Sequence, residues 1–99
     1  MGVRFMRRAT IARGKGDEAR AFAADISAHW EETYGTTVTW GFEIGGDFGT
    51  LYWFSDHESL ADLEKEMMAS MANQHTSKLL AEAGDLFQGI AQDKLIVTM

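Results

Sequence analysis

The chain contains no cysteine. That excludes a disulfide frame, a thiol nucleophile and a thiolate-bound metal, and it suits a reducing, cytoplasmic setting. Long apolar runs are missing too. Residues 1–13 lack the continuous apolar stretch of a secretory signal, and no segment approaches the ~20 apolar residues of a membrane helix. A soluble, cytoplasmic protein with no membrane partner is the expectation. Basic charge is scarce beyond the first 15 residues. Arg4, Arg7, Arg8, Arg13 and Lys15 give that segment +5, whereas the other 84 residues carry 4 basic and 15 acidic side chains, or −11, within a net charge of −6. Nucleic acid is therefore not an expected partner, because it calls for a basic face. The early arginines read as strand residues paired with acidic helices. His29, His57 and His75 show neither the i, i+4 spacing of a helical metal pair nor a His-x-His, so no metal is expected.

What is present suits one globular unit over residues 1–99. The hydrophobic fraction is 45% and the charged fraction 24%, ordinary values for a folded domain. Residues 3–13 alternate as a strand, with Val3, Phe5, Arg7, Ala9 and Ile11 on one face. Gly14-Lys15-Gly16 breaks it, Asp17 is a candidate N-cap, and a helix runs to Tyr34. Phe22, Ile26 and Trp30 give that helix an apolar stripe, and Gly35 closes it. Residues 36–44 alternate cleanly as a second strand. A glycine-rich hairpin at residues 45–49 leads to a third strand at 50–54. A second helix starts near Ser59 with Leu60, Leu63, Met67 and Met71 on its apolar stripe. The pattern pauses at residues 73–77, resumes as a helix over 77–88, and ends in a strand over 94–99.

The order strand, helix, strand, strand, broken helix, strand predicts an α+β fold of ferredoxin-like β-α-β-β-α-β type with a four-stranded antiparallel sheet. Two helices cover only one face of such a sheet. The third and last strands nevertheless put apolar groups on both faces: Tyr52 and Phe54 against Leu51 and Trp53, and Leu95, Val97 and Met99 against Ile96. Leaving four large apolar side chains in water forgoes about 1.5–3 kcal/mol each, a sum comparable with the stability of a small domain. A second copy laid sheet to sheet would recover much of this, so a homodimer is expected.

The segment Leu51-Tyr52-Trp53-Phe54-Ser55-Asp56-His57-Glu58-Ser59-Leu60-Ala61-Asp62-Leu63-Glu64 resembles the aromatic strand and following helix of NIPSNAP-like proteins, relatives of the antibiotic-biosynthesis monooxygenases in the dimeric α/β-barrel superfamily. The resemblance implies a dimeric α/β barrel with a ligand cavity between sheet and helices. It also implies cofactor-independent oxygenation or cyclisation of an aromatic or polyketide-like substrate, or ligand binding without chemistry. The haem-degrading branch uses an asparagine on the first strand with a tryptophan and a histidine. Here Trp53 and His75 are present, but residues 3–13 hold no asparagine and Asn73 is the only one in the chain.

His75, in the polar pause, is a candidate acid, base or ligand anchor. Arg7 shares a face with apolar neighbours, so it either forms an internal ion pair or meets a carboxylate or enolate oxygen. Trp40, Tyr52 and Trp53 are candidates to stack on a flat, hydrophobic or aromatic small molecule. Met67 and Met71 would adapt to such a ligand or pack as core. His29 reads as a solvated helix residue and His57 as part of a capping turn. No Ser-His-Asp arrangement emerges from spacing.

Overall fold

A computed structural model describes residues 2–46 and 49–99. Asp47 and Phe48, at the tip expected to form the hairpin loop, lie outside the described residues. The elements are β1 (Gly2–Ile11), α1 (Gly16–Tyr34), β2 (Thr39–Phe42), β3 (Thr50–His57), α2 (Leu60–Met71), α3 (Gln74–Glu82) and β4 (Phe87–Thr98). The four strands form one sheet in the order β2-β3-β1-β4, with every neighbouring pair antiparallel. This is the ferredoxin-like arrangement that the element order implies.

Local chemistry sets the helix ends. Gly35 takes the left-handed conformation (φ 69°) and donates its N–H to Glu31 O, closing α1. Asp17 is not the N-cap. The helix begins at Gly16, Lys15 holds the cap position without a side-chain hydrogen bond, and Asp17 sits in the first turn, where its charge favours the positive helix end. Ser59 caps α2 by accepting from the Asp62 N–H at 3.1 Å. The polar pause is a second cap: Asn73 Oδ1 accepts from the Thr76 N–H at 3.0 Å, so α3 starts at Gln74 rather than Ser77.

The end of α3 departs further from the sequence pattern. Leu86 and Phe87 do not continue the helix. The Ala12 N–H donates to Leu86 O at 2.8 Å, and Phe87 pairs with Ile11. Long-range strand pairing overrides the helical spacing of Leu79, Leu80, Ala83, Leu86 and Phe87. Gly89 (φ 71°) lies where the β1–β4 register shifts between Arg8 and Thr10, so it serves a bulge and not a helix end.

Cross-strand partners divide the sheet into two faces. The helix-side face carries Val3, Phe5, Arg7, Ala9 and Ile11 of β1, Leu51, Trp53, Ser55 and His57 of β3, and Trp40 and Phe42 of β2. The core forms there. Ala19, Ala23 and Ile26 of α1 pack on Ala9, Leu51 and Trp53, with Phe22, Trp30, Val38, Trp40, Leu79 and Phe87 around them. Phe22, Trp53 and Phe87 meet edge to face at centroid distances of 5.7–6.2 Å. Two alanines with no exposed surface let α1 approach the sheet closely, and the aromatics fill the rim.

The α2 stripe is a correction. Only Leu63 is buried, while Leu60, Met67 and Met71 are exposed. The helix is rotated so that Leu63, Glu66 and Ser70, at i, i+3 and i+7, point inward. A carboxylate thus occupies a position that a purely apolar pattern would fill. β4 is covered on neither face: every residue from Gln88 to the end is exposed.

Candidate functional site

Arg7 sits on the helix-side face of β1, with Trp53 beside it on β3 and Asp93 beside it on β4. Trp40 pairs with Trp53 in turn. One row therefore crosses all four strands: Trp40, Trp53, Arg7, Asp93. Arg7 holds Asp93 through two parallel hydrogen bonds, Nε to Oδ1 at 2.7 Å and Nη2 to Oδ2 at 2.9 Å. Its guanidinium also lies 5.4 Å from the Phe5 ring centroid. The hydrogen bond to Asp93 raises the Arg7 pKa above its ordinary value, against the opposing effect of burial. Arg7 thus resolves to an ion pair, with a strand partner rather than the acidic helices. Arg4 behaves likewise, binding Asp56 of β3 at 2.9 and 3.1 Å.

Toward β4, beyond the cover that α2 gives to Val3, Ser55 and His57, an apolar shelf lies bare. Phe5 is half-buried, while Leu95 and Val97, its neighbours on the same face, are 53% and 57% exposed. Trp53 is buried, yet among the described residues its indole Nε1 has no hydrogen-bond partner. A buried donor without an acceptor costs about 1–3 kcal/mol. The Trp53 ring itself packs in the core against Phe22 and Phe87, so it is the paired Arg7 that adjoins the bare apolar side chains.

Tyr52 lies on the opposite face. It pairs with Arg8 across the strands, stacks on Phe54 at 6.0 Å and 9°, and donates its hydroxyl proton to Glu43 Oε1 at 2.5 Å. Trp40 and Trp53 therefore share a face from which Tyr52 is excluded, so one flat ligand does not meet all three. Met67 and Met71 are on the outward side of α2.

His75 lies in the first turn of α3, exposed, and away from Arg7. With His29, Asp25, Ala28, Glu32, Thr33, Asn73 and Leu79 it lines a hollow of about 510 Å³ between α1 and α3. The His29 and His75 rings are 4.6 Å apart, edge to face. His29 is buried rather than solvated. Its Nε2 is 2.6 Å from Thr76 Oγ1, its Nδ1 is 3.1 Å from Thr33 Oγ1, and Thr76 also meets the Tyr34 hydroxyl at 3.0 Å. Burial, and next the neighbouring His75, push the His29 pKa below its ordinary value, with Glu32 opposing. Among the described residues no group of three or more histidine or acidic side chains is placed to hold a metal.

A third polar centre was not visible in the spacing. Glu66 accepts from Trp30 Nε1 at 2.5 Å and from Thr36 Oγ1 at 2.8 Å. Its Oε2 lies 3.5 Å from His57 Nδ1, and His57 Nε2 lies 2.8 Å from Ser55 Oγ. His57 belongs to β3, which runs three residues past Phe54, and not to a capping turn. Had the strand been extended, Ser55 and His57 would have fallen at i, i+2 on one face. His29 was legible as i+3 from Ile26 on the buried stripe of α1.

Compared by sequence, the chain matches no family model and no curated protein. Compared by structure, it shares its fold with NIPSNAP proteins. A NIPSNAP family protein of unknown function from Agrobacterium tumefaciens superposes with a TM-score of 0.82 at 18% identity, over 96% of this chain and 86% of that one. An uncharacterised NIPSNAP-like domain protein from Burkholderia xenovorans gives 0.83 at 11% identity, over 99% and 85%. SnoaB, a cofactor-independent oxygenase from Streptomyces nogalater, gives 0.73 at 15% identity, over 98% and 92%. The ferredoxin-like fold of the single chain, expected from the element order and the aromatic third strand, is therefore the fold observed. No helix among the described residues is long and apolar enough to cross a membrane.

Proposed function

We propose that the chain is a cytoplasmic, homodimeric small-molecule-binding protein whose site is the helix-side row of Trp40, Trp53 and Arg7 with the adjoining shelf of Phe5, Leu95 and Val97. The observation that carries this reading is Arg7, ion-paired with Asp93 and set over the Phe5 ring, beside the uncovered apolar surface of Leu95 and Val97. A flat, hydrophobic ligand with a carbonyl or enolate oxygen fits that chemistry. Its ring would lie on the apolar shelf and its oxygen would meet Arg7, which would stabilise negative charge on it. Such stabilisation of an enolate favours carbanion chemistry, the step shared by aromatic cyclisation and by direct reaction with oxygen. The fold shared with SnoaB supports the oxygenase version.

The second copy enters for a separate reason. On the face away from the helices, Ile96 is 44% exposed, and Met6, Tyr52 and Phe54 are half-buried. A sheet-to-sheet partner would cover this face and leave the helix-side row to the ligand. His75 retains a role as an acid, base or anchor only for a ligand in the α1–α3 hollow. The site row does not include it.

Titration with flat aromatic ketones and phenols, followed by Trp fluorescence, tests the reading. Arg7→Ala is expected to weaken binding of an enolisable ligand at least about tenfold, the loss of one charge-assisted contact. It should leave a ring without an acidic oxygen nearly unaffected. Equal loss for both ligands, or no binding by either, removes the row as the site. Turnover in the presence of oxygen separates an oxygenase from a carrier.

A further inference from the structure

At the other end of β3 the structure places a serine, a histidine and a glutamate in line, outside the row discussed above. We infer that Ser55, His57 and Glu66 form a charge-relay array able to hydrolyse a short-chain carboxylic ester. Ser55 Oγ lies 2.8 Å from His57 Nε2, and His57 Nδ1 lies 3.5 Å from Glu66 Oε2. The order of contacts is nucleophile, base, orienting carboxylate, the logic by which a hydroxyl becomes a nucleophile. Glu66 is held as an acceptor by two donors aimed at it, Trp30 Nε1–H at 2.5 Å and Thr36 Oγ1–H at 2.8 Å. In the Nδ1–H tautomer, which a carboxylate on that side favours, Nε2 presents its lone pair to the serine. The side chains of His57 and Glu66 are 4% and 13% exposed, so the array works in a medium that screens charge poorly.

Access comes from the sheet edge. β2 pairs with β3 only as far as Phe54, so among the described residues no outer strand lies beside residues 55–57. The α1–β2 connection stands off from that edge. The hollow between them, about 530 Å³, is lined by Ser55 with Gly35, Thr36, Thr37, Thr39 and the Arg4–Asp56 pair among others. That volume admits a small ester.

Ser55 Oγ adds to the ester carbonyl carbon as its proton passes to His57 Nε2. The tetrahedral adduct collapses, and the departing alkoxide takes that proton and leaves as the alcohol. Water, deprotonated by the same nitrogen, then opens the acyl-serine ester. The products are the carboxylic acid and free Ser55, so ester and water are consumed and alcohol and acid released.

The test uses a fluorophosphonate reagent and p-nitrophenyl butyrate on the full chain. One phosphonyl group on Ser55, read by intact mass and peptide mapping, is the expected result. In Ser55→Ala the adduct should vanish and butyrate hydrolysis should fall at least about 100-fold, with an unchanged circular dichroism spectrum. Glu66→Gln, a positioning change, is expected to lower kcat while leaving KM alone, whereas a purely structural role would move only the melting temperature. Absence of an adduct on natively folded protein, an adduct on another serine, or hydrolysis that survives Ser55→Ala overturns the assignment.

Discussion

β3 and the end of β4 each carry a run of large apolar side chains, Leu51 to Phe54 and Leu95 to Val97, and the two runs meet opposite fates. Both strands pair antiparallel with β1. Leu51 in β3 has no exposed surface and Trp53 is 8% exposed, whereas Leu95, Ile96 and Val97 in β4 are 44–57% exposed. Apolar character does not separate the two runs. Position does, because β3 lies inside the sheet under α1, whereas β4 beyond Phe87 is an exposed edge. The same apolar residue is thus a core element in one strand and, in the other, a surface awaiting a partner or ligand.

The sharpest way to break this contrast is truncation on each side of it. Leu51→Ala is expected to destabilise the fold by about 2–5 kcal/mol in urea unfolding, as for a fully buried leucine. Leu95→Ala should cost less than about 1 kcal/mol in an isolated chain. If Leu95→Ala instead approaches the cost of Leu51→Ala, β4 is covered in solution and the contrast exists only in the single chain. Ile96→Asp addresses that covering directly. Placing a charge on the face proposed to meet a second copy should raise the dimer dissociation constant at least about tenfold in sedimentation equilibrium, with helical content unchanged. A chain that is monomeric before the substitution would leave the outer face of β4 bare.

Smaller effects test the two helices on either side of the polar pause. Asn73→Ala removes the α3 cap and is expected to cost about 1 kcal/mol by thermal unfolding, similar to Ser59→Ala at α2. A negligible cost at Asn73 would mean that docking against α1, rather than the cap, sets where α3 begins.

The smallest effect is a pH dependence carried by His29. Its pKa is lowered in the folded chain by burial and by His75, so below the ordinary histidine value of about 6.5 the unfolded chain binds the extra proton more readily. Stability should therefore decline as pH drops from 7.5 to 5.5. His29→Asn should flatten that dependence while lowering stability at both pH values. A slope equally steep in the variant would assign the dependence to other groups.

Particular residues show how far the sequence could be read. The alternation at Thr39-Trp40-Gly41-Phe42, the stripe of Phe22, Ile26 and Trp30, the Gly35 terminus and the helix start near Ser59 are all local signals, and each corresponds to a feature of the structure; the strand expected over residues 36–44 is shorter, covering only Thr39–Phe42. Arg7 was legible as a charge among apolar neighbours on one face. Its partner was not, because Asp93 lies 86 residues away and reaches it only through the β1–β4 register. Glu66 was hidden for a different reason. The apolar positions of α2 suggested one inward stripe, and the helix turned another face toward the sheet, where Trp30, Thr36 and His57 surround the carboxylate. The helix expected over residues 77–88 failed where a strand offered backbone partners that the helix end lacked.

By itself the sequence determined the element order and the ferredoxin-like sheet, because hydrophobic period and terminal caps act within a few residues of their cause. It also determined that the sheet carries more apolar surface than two helices can cover. Tertiary structure alone decided which apolar side chains stay exposed, which arginine meets which aspartate, and that Ser55, His57 and Glu66 converge. Those outcomes depend on strand register and helix rotation, which are set by packing across the whole chain rather than by spacing along any part of it.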